Sequence, residues 1–364
     1  MTVPFADLQR MFERHQEEVE QAALSTLRSG WYILGEKLEA FEKEFADYIG
    51  VKHCIGVGCG QSALILAVRA LGIGPGDEVI VAGNTYIATV LGVTENGAEP
   101  VFVDCNEYFE LDESKVIEAI TPRTVAVLLT NLYGQCCNLP SLRRICDERG
   151  LKLIEDCAQS HGASFCNVRG GAAGDASCFS FYPTKPLGAY GDGGAVVTND
   201  EGLAADLRML RNYGSRTKYV NETCGINSRL DEIQAAMLSV GLKHLDESNL
   251  ERIRIADRYL AEIDNPLIEL PRVREGADHV YHIFPVLCER RDELKDHLFE
   301  RGVQTQVHYP IPPHKALCYA DRGYAEVSLP LTERFAREQL SLPIYCGMPN
   351  GDVEAVITAV NGFK

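Results

Sequence analysis

Apolar and polar residues alternate along this chain with two different periods. Near the amino end the apolar residues recur every three or four positions, as in Leu24 and Leu27 and again in Leu38 and Phe41. An aromatic loop at residues 29–35 interrupts this pattern. The spacing therefore predicts two helices that flank an exposed loop.

From Cys54 onward, short runs rich in β-branched residues alternate with amphipathic stretches. The predicted pairs of strand and helix are 54–57 with 62–70, 78–82 with 87–94, 100–103 with 114–119, and 124–129 with 139–149, followed by a strand at 151–155. Such alternation is typical of βαβ units. We therefore expect an α/β fold built on a mostly parallel sheet flanked by helices.

The second half of the chain is predicted to complete this sheet and then to form a smaller lobe. The predicted elements are a strand at 194–198, helices at 203–212, 231–244 and 244–263, strands near 280–287 and 303–308, and a helix at 291–300 between these two strands. A chain of 364 residues exceeds what one compact core usually organises. We expect a large domain over residues 1–245 and a small α+β domain over residues 246–364.

Composition is that of an ordinary globular protein. An apolar fraction of 46% with a charged fraction of 24% argues against a disordered or fibrous chain. The amino end lacks a basic segment followed by an apolar run, and no stretch reaches the roughly 18 apolar residues of a membrane helix. The scattered cysteines, including the adjacent Cys136 and Cys137, lack metal-site or redox spacing. We expect a cytoplasmic protein with reduced thiols, no membrane segment and no metal.

Net charge narrows the possible partners. At −17 the chain is not expected to bind nucleic acid, because basic surfaces hold phosphate backbones. An anionic substrate would need a local basic site, and one stretch offers it, with Arg211, Arg216, Lys218 and Arg229 among few acids. The alternative is that this stretch is an ordinary solvated face.

A glycine-rich segment at residues 56–62 follows the first predicted strand and opens a helix. Free backbone N–H groups and the helix dipole make such a turn a site for phosphate. A dinucleotide loop is an alternative, but the glycine spacing departs from G-x-G-x-x-G, and Glu78 belongs to a turn entering the next strand. Glycines that serve only a tight turn are the third interpretation.

Asp156 and Lys185 form the most informative pair of residues. Asp156 ends an apolar strand, at the edge where parallel sheets bind ligands, and Gln159 and His161 follow within a short turn. Lys185 follows the apolar and aromatic residues 178–182, so burial would lower its pKa and favour a free amine. The alternatives are a capping acid and a surface lysine. Together the pair suggests pyridoxal phosphate, which needs an amine for a Schiff base and a carboxylate for its pyridine nitrogen.

Several long motifs resemble one enzyme family. They are residues 154–163 (IEDCAQSHGA), 179–185 (FSFYPTK), 191–200 (GDGGAVVTND) and 227–236 (NSRLDEIQAA), together with 4–8, 30–35, 72–79 and 308–310. In these motifs and their order the chain is similar, nearly end to end, to the DegT/DnrJ/StrS nucleotide-sugar aminotransferases. The resemblance implies the type I fold of pyridoxal phosphate enzymes, like that of aspartate aminotransferase, with a smaller α+β C-terminal lobe.

The resemblance also implies roles for individual residues. Lys185 would hold pyridoxal phosphate as a Schiff base and be released when the cofactor becomes pyridoxamine phosphate, while Asp156 would pair with the pyridinium. The other implied cofactor contacts are Gln159 at the ring hydroxyl, Tyr86 on the ring face, Gly60, Gln61 and Ser180 at the phosphate, and Asn227 from the neighbouring subunit of a homodimer with active sites at the subunit interface. Substrate contacts are expected among Arg211, Lys218, Arg229, His308 and Tyr309.

Within this family, residues 82–89 and 225–232 look most like enzymes that aminate C-3 of a dTDP-linked 3-keto-6-deoxyhexose. The implied amino donor is L-glutamate, which leaves as 2-oxoglutarate. Amination at C-4 of a dTDP- or UDP-linked 4-keto-6-deoxyhexose is the alternative. Lysine at position 185, where the family's dehydratases have histidine, favours amino transfer. An NAD(P)-dependent oxidoreductase and a noncatalytic regulator that binds pyridoxal phosphate are the interpretations from other classes.

Overall fold

The computed structural model describes residues 2–364. The helices are α1 Leu8–Glu13, α2 Gln16–Ser29, α3 Glu36–Ile49, α4 Gly60–Ala70, α5 Ile87–Thr94, α6 Glu113–Ala119, α7 Leu139–Arg149, α8 Glu201–Leu210, α9 Glu232–Lys243, α10 Leu245–Glu262, α11 Arg291–Glu300, α12 Pro330–Glu338 and α13 Asn350–Asn361. The strands are β1 His53–Val57, β2 Glu78–Ala82, β3 Glu99–Val103, β4 Thr124–Thr130, β5 Lys152–Asp156, β6 Ser164–Phe165, β7 Val168–Arg169, β8 Ala176–Ser180, β9 Gly194–Thr198, β10 Ser215–Thr217, β11 Val220–Asn221, β12 Ala277–Asp278, β13 Phe284–Leu287 and β14 Gln339–Leu342.

Seven strands form a central sheet in the order β1-β9-β8-β5-β4-β2-β3. From β8 to β3 each neighbouring pair is parallel, whereas β9 lies antiparallel to both β8 and β1. The sheet is therefore mostly parallel. With helices packed against it, it confirms the predicted α/β class.

Apolar side chains cover both faces of this sheet. Side chains alternate along β2, so Val79 and Val81 face one layer, which contains Leu66 of α4, while Ile80 faces the other, which contains Leu142 of α7. All five side chains are buried. Burial on both faces explains why the central strands read as continuous apolar runs in the sequence.

A second core surrounds the antiparallel pair β13 and β14. Tyr259 of α10, Leu294 of α11 and Val356 of α13 are buried in it, and Val3 joins it from the amino end of the chain. The predicted division between residues 245 and 246 falls at the start of α10. That division stays a prediction.

One predicted strand is wrong. Residues 303–308 form only isolated bridges, in which Val303 pairs with Val3 and Gln306 pairs with Ser341. The partner of β13 is β14, whose first residue, Gln339, is buried and accepts a 2.7 Å hydrogen bond from the His308 backbone N–H. The sequence pattern does not mark β14 because half of its buried positions are polar.

The carboxyl ends of the parallel strands bring polar side chains to one edge of the sheet. Asp156 ends β5 and Ser180 ends β8, and at the same edge β1 leads into the first turn of α4. Because β9 runs in the opposite direction, it begins there, at Gly194. Among residues 2–364, no helix is both long and apolar enough to cross a membrane.

Candidate active site

A cavity of about 670 Å³ opens at this edge of the sheet, and its walls come from both cores. We call it the Lys185 cavity. The predicted site residues that line it are Gly60, Gln61, Tyr86, Asp156, Gln159, Ser180, Lys185, His308 and Tyr309. The structure therefore brings together residues that lie far apart in the sequence.

Asp156 is buried and held by two donors. Its carboxylate accepts hydrogen bonds from the Thr89 hydroxyl at 2.7 Å and from the Ala158 backbone N–H at 3.1 Å. Burial raises the pKa of Asp156, while these two bonds and the charge of Lys185 act in the opposite direction. A carboxylate in this position would gain from a cation placed beside it in the cavity.

Lys185 lies just beyond the end of β8, and its backbone N–H donates to the Tyr182 carbonyl at 2.8 Å. Burial lowers the pKa of Lys185 to about 8, an effect that the charge of Asp156 partly offsets. Near neutral pH the chain thus holds an appreciable fraction of this lysine as a free amine, the form that reacts with an aldehyde.

Gln159 links the sheet edge to the chain segment that carries Tyr309. Its side-chain oxygen accepts from the Tyr133 backbone N–H at 2.7 Å, and its side-chain nitrogen donates to the Tyr309 hydroxyl oxygen at 3.0 Å. The rings of Tyr309 and Tyr86 meet at 4.9 Å between centroids. Tyr86, at 51% exposure, keeps much of its ring available inside the cavity.

The start of α4 lies against Ser180. A Cβ atom on Gly60 would sit 2.6 Å from the Ser180 Cβ, so only glycine permits this approach. The first N–H groups of a helix have no partner within it, and here they lie beside a serine hydroxyl. Together they form a site suited to a phosphate group.

These groups fit pyridoxal phosphate. The amine of Lys185 and the carboxylate of Asp156 share one cavity with a phosphate-type helix terminus and an available aromatic ring. Each feature suits a different part of that cofactor.

Comparison with known proteins agrees with this chemistry. A model of the DegT/DnrJ/EryC1/StrS aminotransferase family matches residues 13–361.

The chain belongs to this aminotransferase family.

Similar proteins match over nearly the full length of the chain. The "dTDP-3-amino-3,6-dideoxy-alpha-D-galactopyranose transaminase" of Aneurinibacillus thermoaerophilus is 49% identical over 363 residues, which is 99% of each chain. The "dTDP-3-amino-3,4,6-trideoxy-alpha-D-glucose transaminase" of Streptomyces venezuelae is 50% identical and covers 98% of this chain and 95% of its own. Crystalline S. venezuelae DesV, solved in complex with a ketimine intermediate, superposes with a TM-score of 0.97 at 50% identity, over 99% of this chain and 98% of that one. The predicted type I aminotransferase fold is thereby confirmed.

Three predicted residues of this aminotransferase do not line its own Lys185 cavity. Asn227 is exposed. Lys218 is exposed between β10 and β11, with its Nζ atom 5.1 Å from the ring centroid of Tyr219. Arg229 donates to the Asn212 side-chain oxygen at 2.9 Å.

Arg211 lies outside the Lys185 cavity and already has an acidic partner. It is buried, pairs with the Glu42 carboxylate, and donates to the Gly56 carbonyl at 2.7 Å. A buried charge with a carboxylate partner is not free to bind a substrate, so we leave Arg211 out of the proposed substrate site. The sequence shows this arginine as part of a basic cluster because Glu42 is distant along the chain.

His161 also does not line the Lys185 cavity. It is fully buried, with its ring 5.3 Å from that of Phe179 and 5.8 Å from that of Phe181. Burial and the charge of Lys185 lower the pKa of His161 to about 3. It therefore packs as a neutral ring behind the strand that leads to Lys185.

Sequence reasoning missed the groups that hold the site residues in place. Thr89, on the first turn of α5, donates to Asp156. The Thr85 hydroxyl contacts the Thr89 hydroxyl at 2.7 Å and the Thr130 hydroxyl at 2.9 Å. Arg252 and His282 were missed as lining residues. Nothing in their sequence neighbourhood marks them, because packing of the second core brings them to the cavity.

The structure also groups His15, Glu18 and His244, whose possible ligand atoms lie within 4.8 Å of one another. The two imidazole rings stack at 3.8 Å with 10° between their planes. Ring-nitrogen lone pairs lie in the ring planes, so stacked rings do not direct them at one point. We assign no metal here, and the expected absence of metal stays a prediction.

Proposed function

We propose that this aminotransferase moves the amino group of L-glutamate to C-3 of a dTDP-linked 3-keto-6-deoxyhexose. Aminotransferases of this family depend on pyridoxal phosphate. Both named relatives at about half identity are transaminases of dTDP-linked 3-amino sugars. The predicted alternative at C-4 has no comparable support among them.

The observation that carries the proposal is the pairing of Lys185 and Asp156 within one cavity. When bound, pyridoxal phosphate supplies an electron sink for the electrons left at the donor α-carbon. Lys185 would attach the cofactor, and Gly60, Gln61 and Ser180 would hold its phosphate. The other side chains of the cavity would contribute to the reaction by orienting the cofactor and the substrate or by carrying protons.

Lys185 would carry the proton in both halves of the reaction. Its pKa of about 8 allows the amine to accept a proton from the donor α-carbon and to return one near neutral pH. In the second half it would deliver a proton to the sugar carbon that receives the amine. A lysine with an ordinary pKa would hold its proton too tightly for this role.

Asp156 and Gln159 would orient the cofactor ring from two sides. Thr89 and the Ala158 backbone N–H favour the ionised form of Asp156, which a protonated ring nitrogen requires. Gln159 is fixed by Tyr133 and by Tyr309, so its amide has one defined orientation. His308 and Tyr309 line the cavity and are proposed to contact substrate.

The homodimer is part of the same proposal. Asn227 is exposed and absent from its own cavity, as a residue that completes the partner's phosphate site would be. Lys218 and Arg229 lie in the same region and supply positive charge for a substrate diphosphate. We also propose a cytoplasmic location, because all thirteen cysteines are free thiols.

Absorption spectroscopy of the purified holoenzyme tests this function. We expect a visible band from the lysine-bound cofactor that disappears when glutamate is added, with release of 2-oxoglutarate. Lys185→Ala should lack both the band and turnover, whereas Lys295→Ala, an exposed lysine on α11, should behave like the wild type. If Lys185→Ala keeps both, the assignment of Lys185 is wrong.

A further inference from the structure

Arg252 is a buried arginine without an acidic partner. It lies on α10 and is only 2% exposed, yet it lines the Lys185 cavity. Its side chain donates to the Asn249 side-chain oxygen in a long contact of 3.5 Å. Within the described chain, other buried or half-buried arginines, such as Arg211 and Arg274, form ion pairs, and Arg252 does not.

The surroundings of Arg252 add positive charge instead of balancing it. The charges of Lys185 and Arg252 both lower the pKa of His282, which also lines the cavity, and they do the same to His161. Burying a charge that has no counterion is costly, and removing the partner of such a charge is strongly destabilising. This end of the cavity is therefore suited to a bound anion.

Three anions enter the site under the proposed function. The cofactor phosphate belongs at the start of α4, beside Gly60 and Ser180. The diphosphate of a nucleotide sugar is joined to a nucleoside and a hexose, and it needs more room than a side chain buried to this degree leaves. The carboxylates of the amino donor are small, and the planar guanidinium fork of arginine matches a carboxylate in two parallel hydrogen bonds.

We propose that Arg252 binds a carboxylate of the amino donor and so selects amino acids as donors. The proposal rests on the proposed function, since it assigns a site to glutamate. Arg252 becomes a specificity residue of the first half of the reaction. It has no part in cofactor attachment or in recognition of the nucleotide sugar.

Arg252→Gln and Arg252→Lys test this, with Arg254→Gln as the matched control. Arg254 lies two residues further along α10 and is exposed. For Arg252→Gln we expect the glutamate concentration that half-removes the visible band to rise about tenfold or more, the loss expected for a hydrogen bond to a charged group. Cofactor loading should be unchanged, as should the rate at which the pyridoxamine phosphate form consumes keto sugar. For Arg252→Lys this glutamate concentration should lie between those of the wild type and Arg252→Gln, and for Arg254→Gln it should match the wild type.

Alternative donors separate a binding role from a structural one. Alanine has only the α-carboxylate and 4-aminobutyrate only the distal one. A simple alkyl amine has neither, so its slow reaction should be the same in wild type and Arg252→Gln. A defect confined to 4-aminobutyrate and glutamate assigns Arg252 to the distal carboxylate, and a defect that includes alanine assigns it to the α-carboxylate. If Arg252→Gln reacts more slowly with glutamate and with the alkyl amine by the same factor, Arg252 is structural and the proposal is overturned.

Calorimetry with glutarate gives a measurement that needs no turnover. The dianion should bind the wild type in competition with glutamate and should bind Arg252→Gln about tenfold or more weakly. If neither Arg252 variant folds, the wild type alone tests the proposal. Uncharged glutaramide should then fail to compete with glutamate, whereas glutarate should succeed. Equal competition by both compounds overturns the proposal. A wild type that never loses its band with glutamate contradicts the proposed function itself.

Discussion

The side-chain amide of Gln159 donates to the hydroxyl oxygen of Tyr309 at 3.0 Å, across 150 positions of sequence. Gln159 follows β5 of the central sheet, and Tyr309 lies in the segment that returns from the second core. This bond is a direct polar link between the two walls of the Lys185 cavity. It fixes the amide that we propose to face the cofactor ring.

Tyr309→Phe should loosen the Gln159 amide and weaken cofactor binding without abolishing it. Loss of the hydroxyl leaves the Gln159 amide with an unsatisfied buried donor, which costs about 1–3 kcal/mol. We expect a lower free energy of unfolding and weaker cofactor binding, measured by denaturant titration and by cofactor dialysis. Tyr219→Phe, at an 87% exposed tyrosine, is the control. Unchanged stability and affinity would show that this bond has no energetic role.

Thr89→Val should make cofactor binding more sensitive to acid. The Thr89 hydroxyl lowers the pKa of Asp156 against the effect of burial, so its loss raises that pKa further. The carboxylate would then protonate at a higher pH and lose its attraction for a protonated ring. We expect the cofactor Kd to rise by about tenfold, most at low pH. Thr89→Ser should restore the wild-type pH profile, and a valine variant with that same profile would contradict this account.

Replacing Lys185 should stabilise the cofactor-free chain below pH 8. Its pKa is lowered from 10.5 to about 8, so between these values the folded chain holds fewer protons than the unfolded chain. Stability therefore rises with pH across this window, and the penalty for the charged lysine is complete below it. Lys185→Met should be more stable than the wild type by roughly 3 kcal/mol or less near pH 7, and the difference should vanish only above the unfolded pKa of 10.5. Chemical denaturation at several pH values, with Lys295→Met as control, measures this.

Mixed dimers of Lys185→Ala and Asn227→Ala subunits test the shared site. In such a dimer one cavity has Lys185 and receives an intact Asn227 from the partner, while the other cavity lacks both. At limiting cofactor we expect the mixture to regain activity that neither homodimer has. If Asn227 serves its own cavity, no intact site forms and mixing restores nothing.

Much of the fold and the site follows from sequence because local pattern encodes it. The strand at Gly194–Thr198 and the helix at Arg291–Glu300 have the predicted bounds, since continuous apolar runs and helical spacing mark them. The residues at strand ends, Asp156 and Ser180, could be anticipated because parallel strands direct their carboxyl ends to one edge.

The rest depends on contacts that local pattern does not carry. Arg211 looks available until its ion pair with Glu42 is seen, and Gln339 looks unlike a strand residue until its bond to the His308 backbone is seen. Arg252 reaches the cavity only because α10 packs into the second core. Each of these contacts joins residues distant in sequence.

One measurement tests the central claim most directly. The purified enzyme is incubated with glutamate and, separately, with a dTDP-3-keto-6-deoxyhexose and a dTDP-4-keto-6-deoxyhexose, and the products are identified by mass spectrometry and NMR. We expect amine only from the 3-keto sugar, bonded at C-3, with 2-oxoglutarate formed in equal amount. Amination only at C-4, or a coloured protein that aminates neither sugar, would contradict the account.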